Sequence, residues 1–354
     1  MNLKQIGWDE WFENQRWELC APEQRPARII IVDRDRYIVR DEDGELSATL
    51  TGKFRHSTAS ATDSPCVGDW VCIQLHSPGD HASIHGVLPR RSFLRRKSAG
   101  KNIDFQMIGA NIDVALIVQS CHFDFNLRRL ERYLVMVNEG GIEPILVLTK
   151  IDLIGDDELE QLISSIRHMG THAEIVALSN ITGIGLDRIR EIMVSGKTYC
   201  LLGSSGVGKT TLINQLLGHA ELETKAVSDS GEGRHTTVRR QLVMLEQGAM
   251  LIDTPGMREL GILGASEGIE DSYHDIGELA MNCRFKNCTH TNEPGCAVLE
   301  ALANGTLDQD HYQNYLKIKR ESEFHEMSYA DRRKRDKAFG KYVNSVMKHK
   351  DKYK

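Results

Sequence analysis

Short apolar runs broken by turn sequences dominate the chain between about Arg28 and Leu94. The turns are rich in Asp, Gly and Pro, as at residues 41–44 and 78–80. Runs of this length between such turns are typical of β-strands, and several in succession predict a small all-β barrel. The expected strands are residues 29–32, 37–39, 47–50, 70–74 and 82–87.

Further along the chain, strand-like apolar runs alternate with amphipathic helical segments. This alternation predicts a mainly parallel sheet covered by helices. Strands are expected at residues 113–119, 144–148, 173–178, 198–202, 241–245 and 250–252. Helices are expected at residues 127–138, 158–168, 186–193 and 209–217. After about Ile269 the strand pattern ends.

The two ends of the chain have patterns of their own. Near the start, four aromatic residues are spaced so that much of the apolar surface falls on one side of a helix. They are Trp8, Trp11, Phe12 and Trp17. Near the end, a cysteine and histidine cluster precedes helical, increasingly basic sequence. We predict a multidomain chain with an extension at residues 1–25, a β-barrel domain at 26–98, an α/β domain at 99–268 and a mostly helical domain at 269–354.

Charge narrows the classes of partner. A chain of 354 residues is longer than one hydrophobic core usually accommodates, which indicates two or three domains. A net charge of −6 and a pI near 6.2 argue against attraction of the whole molecule to nucleic acid, and DNA is not an expected partner. Two local basic clusters stand out, although a solvated surface is the alternative for each. They are the tail at residues 332–354 and a group of five, Arg90, Arg91, Arg95, Arg96 and Lys97.

The apolar runs also bear on the compartment. None reaches the length of a bilayer span, and residues 1–16 lack the apolar core of a signal segment. We therefore expect a soluble, cytoplasmic protein with no membrane partner. In a reducing compartment scattered cysteines are small buried apolar residues rather than disulfides. This is the expectation for Cys20, Cys66, Cys72, Cys121 and Cys200.

A loop with the pattern G-x-x-x-x-G-K-T follows the apolar run that ends at Leu202 and opens a helical segment. In this context the pattern is typical of a phosphate-binding loop, because glycines let backbone N–H groups and a helix N-terminus surround phosphate. Lys209 is expected to reach the β and γ phosphates, Thr210 to hold Mg²⁺ and Thr211 to contact the α phosphate. The other members of the loop are Gly203, Ser204, Ser205, Gly206, Val207 and Gly208.

A second motif, D-x-x-G, follows the apolar residues 250–252. Asp253 is expected to hold Mg²⁺ through water, and Gly256 to offer its N–H to the γ phosphate. In isolation this motif is often only a turn. Its position one hairpin after the phosphate loop favours the catalytic interpretation.

The polar segment 231–240 lies between these two motifs and holds candidate switch residues. Thr236 or Thr237 is expected to close over the metal, and His235 to approach the attacking water, with an ordinary solvated loop as the alternative. Ras-like enzymes carry a water-orienting Gln directly after D-x-x-G, but Met257 stands here. Slow intrinsic turnover is therefore predicted.

Residues 149–152, Thr-Lys-Ile-Asp, follow an apolar run and match the guanine-recognition pattern N-K-x-D. The carboxylate of Asp152 can accept from guanine N1–H and the exocyclic amine together, whereas adenine offers no such donor pair. Lys150 can lay its alkyl stem over the ring, with Ile151 between the two. Thr149 replaces the usual Asn and removes an amide that would brace the neighbouring loops.

Ser179 and Asn180 begin a second base-contacting loop, whose backbone is expected to meet guanine O6. Asn180 replaces the commoner Ala at this position. Both base motifs precede the phosphate loop, which reverses the conventional order and predicts a circularly permuted GTPase that binds GTP and GDP. The permutation leaves the sheet intact, because tertiary position rather than chain order makes the site.

Three cysteines and one histidine lie close together near the start of the C-terminal region. Their spacing is C-x₄-C-x-H-x₅-C, which supplies four ligands for tetrahedral Zn²⁺ with no open position, so a single structural ion is predicted. Reduced thiols and an iron–sulfur cluster are the alternatives. The ligands are Cys283, Cys288, His290 and Cys296.

Taken together, these motifs are similar to those of the circularly permuted GTPases of small ribosomal subunit biogenesis, the RsgA or YjeQ family. The similarity covers nearly the whole chain and includes residues 67–71 and 108–113. It implies an N-terminal OB-fold, a central P-loop GTPase and a C-terminal zinc domain. It also implies late maturation of the small (30S) subunit, in which a monomer binds ribosomal RNA, hydrolyses GTP and leaves. The two basic clusters are then candidate contacts with the RNA backbone.

Two other function classes remain open on the residues alone. An RNA-binding scaffold with a degenerate nucleotide site would bind subunits without turnover. A regulatory GTPase with a non-ribosomal protein partner would bind that partner with a weaker dependence on salt.

Overall fold

The first five strands form a closed barrel in the computed structural model, which describes residues 2–33, 36–57, 62–76, 81–97, 105–122, 124–217, 240–253 and 266–326. Their order is β1-β2-β3-β5-β4, and a pairing between β1 and β4 closes the barrel. The strands are β1 Arg25–Asp33, β2 Arg36–Arg40, β3 Glu45–Leu50, β4 Trp70–Leu75 and β5 His81–Val87. All five expected strands are confirmed. A one-turn helix between β3 and β4, numbered α2 below, completes the OB-type barrel.

Six strands form the sheet of the α/β part, in the order β10-β9-β8-β11-β13-β12. All neighbours are parallel except β12 and β13, as the alternating pattern predicts. The strands are β8 Val114–Ser120, β9 Glu143–Thr149, β10 Glu174–Ala177, β11 Thr198–Leu202, β12 Arg240–Met244 and β13 Met250–Asp253.

Helices cover both faces of this sheet. The sheet separates two apolar clusters, one shared with the barrel and one that includes residues of β8, β11, α5 and α6. The N-terminal part and this region contain α1 Glu10–Leu19, α2 Gly52–Ser57, α3 Leu127–Glu139, α4 Asp156–Arg167, α5 Leu186–Ile192 and α6 Lys209–Leu217. Among the described residues, no helix has the length and apolar content that crossing a bilayer requires.

The barrel and the α/β sheet are joined into one eleven-stranded sheet. β1 pairs with β12 in antiparallel register, with Ile31 opposite Gln241 and Val32 opposite Arg240. β1 therefore belongs to the barrel and also extends the sheet that carries the phosphate loop. The sequence pattern gave no sign of this pairing, because its partners are some 210 positions apart.

Arg28 strengthens the junction from inside. Its side chain is only 1% exposed, and its guanidinium donates to Ile6 O at 2.5 Å, Gly68 O at 3.2 Å and Thr198 Oγ1 at 2.8 Å. Burial lowers the pKa of Arg28 to about 10, against the opposing charges of Asp113 and Asp69. The arginine thus joins the N-terminal segment, the barrel and the α/β sheet.

The basic group at residues 90–97 is largely engaged within the protein. It leads into β6 Phe93–Lys97, which pairs with β7 Phe105–Ala110 in a hairpin that the sequence pattern missed. Each of four arginines has an internal partner: Arg90 with Asp69, Arg91 with Asp9, Arg95 with Glu139, and Arg96 with Gln106. Three of these partners are acidic and balance part of the positive charge, and the expected contact of this stretch with RNA stays a prediction. Residues 332–354 lie outside the described residues.

The N-terminal segment packs on the barrel through its aromatic side chains. Trp8 and Phe12 are buried against Trp70, with ring centroids 4.6 and 5.8 Å away. Asp9 caps the N-terminus of α1, because its side chain accepts hydrogen bonds from two backbone N–H groups of the first turn. Trp17, by contrast, is 74% exposed, so the barrel covers only part of the apolar surface of this helix.

One expectation about the cysteines is wrong. Cys20, directly after α1, and Cys72 on β4 form a disulfide with their Cα atoms 5.5 Å apart. The pair is 52 positions apart in the chain, so only the docking of α1 on the barrel brings it together. The expectation is confirmed for Cys66, Cys121 and Cys200, which are free and buried.

The C-terminal part is helical, as predicted, and has a core of its own. Its helices are α7 Ser266–Ser272, α8 His274–Ala280, α9 Ala297–Ala303 and α10 Gln309–Glu326. α7 and α10 both pack on α3 of the α/β part. α3 is therefore part of the interface between the α/β sheet and the C-terminal helices.

A buried charged cluster fastens α10 to α3. His311 is 6% exposed and lies between Glu131 of α3, at 2.5 Å from Nδ1, and Asp275 of α8, at 3.2 Å from Nε2. Asn314 donates to the second oxygen of Glu131 and to the Tyr273 hydroxyl. Burial by itself lowers the pKa of His311, but the hydrogen bonds and charges of Asp275 and Glu131 outweigh it and raise that pKa to about 9. The folded protein therefore holds an imidazolium here at neutral pH.

We expect this cluster to make stability depend on pH. Because the folded pKa lies above the value of about 6.5 for free His, the stabilisation is complete below pH about 6.5 and is lost as pH rises through about 9. Its size should be on the order of 3 kcal/mol, at 1.36 kcal/mol for each unit of pKa. The measurement is the free energy of unfolding across this range for the parent chain, for His311→Gln and for the exposed control His168→Gln. An identical pH slope in the parent and in His311→Gln would contradict the assignment.

Candidate functional site

The predicted nucleotide motifs meet at one edge of the sheet. The base motif follows β9, the second base loop follows β10 and the phosphate loop follows β11. All three strands run parallel, with β8 between β9 and β11. Carboxyl ends of parallel strands share an edge, and ligands bind there in open α/β sheets. The inverted chain order therefore leaves the motifs side by side.

The phosphate loop has a backbone that only glycine adopts comfortably. Gly203 has a φ of +146°, and a Cβ there would lie 2.2 Å from Val118 O, so no larger residue fits. Gly206 and Gly208 have φ values of +82° and +99°. Ser205 and Gly206 are exposed at the tip, where their backbone can approach a ligand.

Lys209 curls over this loop. Its Nζ donates to Gly203 O at 2.7 Å and to Ser204 O, which keeps the ammonium within the loop that would surround phosphate. Thr210 and Thr211 follow in the first turn of α6, and both are exposed. The positions of these three residues agree with their expected contacts to phosphates and Mg²⁺.

Replacement of the usual Asn by Thr149 was expected to remove a hydrogen bond between neighbouring loops, but the Thr149 side chain supplies such a bond itself. Its hydroxyl is fully buried and donates to Val207 O of the phosphate loop at 2.6 Å. Asn180 adds a second brace, since its Nδ2 donates to Gly208 O at 3.2 Å. Gln215 of α6 in turn donates to Asn180 O at 2.6 Å. The two departures from the usual motif residues thus hold the base loops against the phosphate loop.

The base-recognition residues are presented by a tight turn. Lys150 has a left-handed backbone with φ +61°, and a 3₁₀ helix at Ile151–Leu153 follows. Asp152 is exposed and forms no hydrogen bond or ion pair within the described part of the chain, so its carboxylate is available to a ligand. Ser179 is fully buried, and its hydroxyl accepts from two N–H groups of its own loop. It therefore shapes the second base loop rather than contacting a base through its side chain.

Replacing Asp152 by Asn tests guanine recognition. Two charge-assisted hydrogen bonds to N1–H and the amine would be lost, each contributing about 1.5–3 kcal/mol, so GTP affinity should fall at least about 100-fold. Xanthosine triphosphate should gain affinity, because its carbonyl at the same ring position accepts from the new amide. Equilibrium binding of GTP, ATP and xanthosine triphosphate measures this, with Asp156→Asn on α4 as the control. Unchanged GTP affinity in Asp152→Asn would sink the assignment.

Sequence reasoning missed one contact to the phosphate loop. Tyr133 of α3 is 4% exposed and interacts with the Ser204 side chain. Burial raises the pKa of Tyr133, and the interaction with Ser204 offsets part of that rise. A tyrosine at helical spacing gives no sign of this role, since a core position produces the same pattern.

The remaining predicted catalytic residues are only partly described. Asp253 ends β13, the neighbour of β11, so its backbone lies at the same edge as the phosphate loop. His235, Thr236, Thr237 and Gly256 lie outside the described residues, as does Met257. Their assignment stays a prediction.

The four predicted zinc ligands converge. One ligand atom from each lies within 4.8 Å of all the others. The Sγ atoms of Cys283 and Cys296 are 3.9 Å apart, and His290 Nδ1 lies 3.6 and 3.5 Å from them. A tetrahedron with Zn–S near 2.3 Å and Zn–N near 2.05 Å has S–S edges of about 3.8 Å and S–N edges of about 3.6 Å. The donor set thus fits Zn²⁺ in type and in size.

The surroundings of the cluster favour a structural metal. His290 and Cys296 are 5% and 4% exposed, and Tyr312 of α10 donates to the backbone oxygen of His290. Burial raises the pKa of Cys283, but N–H groups of Ala297 and of the residue after it outweigh burial and lower it. Burial and neighbouring sulfur atoms raise the pKa of Cys288 to about 11. A cation is the natural partner for thiolates held this closely.

Comparison with known proteins decides the family. A family model described as RsgA GTPase matches residues 87–263. A small ribosomal subunit biogenesis GTPase RsgA of Opitutus terrae is 39% identical, over 92% of this chain and 90% of that protein. The chain belongs to the RsgA GTPase family. A second RsgA, from Vibrio vulnificus, is 37% identical and covers 99% of this chain and 97% of its own.

Solved structures agree with this RsgA membership. YjeQ from Thermotoga maritima superposes with a TM-score of 0.62 at 26% identity, covering 83% of this chain and 97% of its own. YloQ, described as a circularly permuted GTPase, gives 0.60 at 25% identity, with 87% and 98% covered. The expected permuted GTPase fold is confirmed, and as an RsgA member the chain is a GTPase.

Proposed function

We propose that this RsgA chain hydrolyses GTP at the edge formed by β9, β10 and β11 and acts as a late assembly factor of the small ribosomal subunit. One observation supports the nucleotide site above the others. The Thr149 hydroxyl bonds to Val207 O across 58 positions of sequence, which ties the guanine motif to the phosphate loop. The names of the relatives, each a small ribosomal subunit biogenesis GTPase, support the choice of partner.

In the proposed reaction, water attacks the γ phosphate in line. Lys209 would stabilise the charge that develops on the phosphate oxygens, and loop N–H groups would hold the β phosphate. Thr210, and Asp253 through water, would hold Mg²⁺, which when bound would supply positive charge to the phosphate groups. Met257 cannot orient water, so turnover should be slow until the subunit brings His235 near the attacking water.

We further propose the finer features that the family name leaves open. The chain would divide near residues 25, 98 and 268, although β1 joins two of these units by pairing with β12. Cys283, Cys288, His290 and Cys296 would hold a single structural Zn²⁺. The protein would act as a cytoplasmic monomer on ribosomal RNA and not on DNA.

Sedimentation with purified small subunits in GTP, GDP and a non-hydrolysable GTP analogue tests the proposal. We expect tight binding with the analogue, release with GDP, and a GTPase rate that rises when subunits are added. Equal rates with and without subunits, together with equal binding in all three nucleotides, would overturn it. Co-purification with a non-ribosomal protein instead would favour a regulatory GTPase.

A further inference from the structure

A basic groove lies between α3 and α10, well away from the zinc ligands. Its volume is about 510 Å³, and both helices contribute cations to its walls. α3 contributes Arg128, Arg129 and Arg132, and α10 contributes Lys317 and Arg320. The sequence did not single out this group, because its two halves are about 190 positions apart. Only the packing of the C-terminal helix on the GTPase creates it.

We propose that this groove binds the phosphodiester backbone of RNA. The inference rests on the proposed function for the identity of the RNA, and it names a surface for that partner. The groove is a second cationic surface beside the basic stretch expected from the sequence, residues 90–97, whose arginines also have partners within the protein.

The charges of the groove remain partly unbalanced. The three arginines of α3 have acidic partners at its rim: Arg128 with Asp310 at 2.7 Å, Arg129 with Asp124 at 2.9 Å and Arg132 with Glu321 at 2.6 Å. Lys317 and Arg320 are exposed and have no acidic partner among the described residues. Five cations against three acids leave a local excess of positive charge. In a chain of net charge −6, such an excess directs a polyanion to one place.

The paired arginines also keep capacity for a ligand. A guanidinium has five N–H donors in a planar fork, and a carboxylate partner occupies only some of them. Arg128 is half exposed, and Arg129 and Arg132 are about a quarter exposed at their side chains. Each can therefore donate to a phosphate oxygen at the open side of the groove.

The shape fits an extended chain better than a single phosphate. Lining residues on α10 run from Gln313 to Arg320, a rise of about 10 Å along the helix. Lys317 and Arg320 are three positions apart and share one helix face. Asn126 and Gln313, both exposed at the groove, offer amide groups that can bond phosphate or sugar oxygens. Cations spread over this length match successive phosphates of one strand.

The groove also adjoins the helix that contacts the nucleotide loop. α3 places Arg132 at the groove and the next residue, Tyr133, against Ser204. Glu131 on the same helix holds His311 of α10. RNA bound in the groove would therefore contact both α3, which belongs to the GTPase region, and α10, which belongs to the C-terminal helices.

The test replaces the two exposed, unpaired cations in the full-length chain, as Lys317→Gln/Arg320→Gln. The control is Arg188→Gln/Arg190→Gln on α5, which removes two exposed cations far along the chain from the groove residues. Binding is measured by fluorescence anisotropy with a labelled single-stranded RNA oligonucleotide and by sedimentation with small subunits, over a range of salt. Affinity of the groove variant should fall roughly tenfold, and the slope of log K against log salt should shrink by about 1.4, or about 0.7 for each lost contact. Its basal GTPase rate and the binding of the control should be unchanged.

The outcomes separate this inference from the proposed function. Wild-type affinity and salt slope in the groove variant would overturn the RNA site. Displacement of the RNA by tripolyphosphate at equal phosphate concentration would overturn it in favour of a small polyanion, and displacement by polyglutamate in favour of an acidic protein. If the parent chain fails to sediment with small subunits while the variant still loses oligonucleotide binding, the proposed function falls and the groove stands.

Discussion

Replacing Lys209 by alanine should reduce the rate constant for GTP hydrolysis about 100- to 1,000-fold. Its ammonium already lies inside the phosphate loop, bonded to Gly203 O at 2.7 Å. In the transition state it would leave these carbonyls for the γ phosphate oxygens, where charge develops. Loss of one such preorganised donor typically costs this much in rate. Single-turnover hydrolysis of radiolabelled GTP, with and without small subunits, measures the effect.

Lys197→Ala is the matched control for this variant. Lys197 is exposed and directly precedes β11, the strand that ends at the phosphate loop, so it lies at the opposite edge of the same sheet. Its removal changes the net charge equally and should leave the rate unaltered. A Lys209→Ala chain with the parent rate would show that hydrolysis takes place elsewhere. Subunit binding that persists without any turnover in the parent chain would favour the scaffold alternative.

Replacing Cys288 by serine should abolish zinc binding and unfold the C-terminal helices. Structural Zn²⁺ sites contribute on the order of 10 kcal/mol of apparent folding free energy, which exceeds what a core of this size supplies alone. Zinc content by mass spectrometry should fall from a single ion per chain to near zero. Hydrogen exchange should show lost protection in α8, α9 and α10, while the barrel strands remain protected.

Cys121→Ser provides the comparison, because this thiol is buried and free but lies outside the cluster. It should retain zinc and the protection of α8 to α10. Zinc retained by Cys288→Ser would exclude this cysteine as a ligand. Zinc lost without any change in protection would show that the metal does not stabilise the fold. A visible absorption band in the purified chain would favour an iron–sulfur cluster.

The elements that sequence patterns predicted well are those whose signal is local. Each strand of the barrel and of the parallel sheet was marked by an apolar run and a turn. The helices from α3 to α6 were marked by a 3.6-residue period. The hairpin of β6 and β7 was missed because its first strand carries three cations, Arg95, Arg96 and Lys97, which resemble a solvated segment.

The residues of the nucleotide site also fall into those that a local sequence pattern predicts and those that it does not. Gly203 to Thr211 and Lys150 to Asp152 are recognisable because phosphate and guanine each demand particular residue types at fixed spacing. The consequence of Thr149 was misjudged from sequence, since its hydroxyl meets a carbonyl 58 positions away. The contact of Tyr133 with Ser204 was not predicted either, because these two residues are also far apart in the sequence.

The amino-acid sequence by itself determined the chemistry of this protein: a phosphate loop, a guanine-binding carboxylate, a set of four zinc ligands and the order in which they occur. Tertiary structure alone decided how these parts are connected. It pairs β1 with β12, buries Arg28 at their junction, forms the Cys20–Cys72 disulfide and sets α10 beside α3 to open the basic groove. The physical reason is the distance along the chain between the residues that interact. A loop that binds a ligand is specified by neighbours along the chain, whereas a junction depends on distant side chains that only the packed core brings within contact.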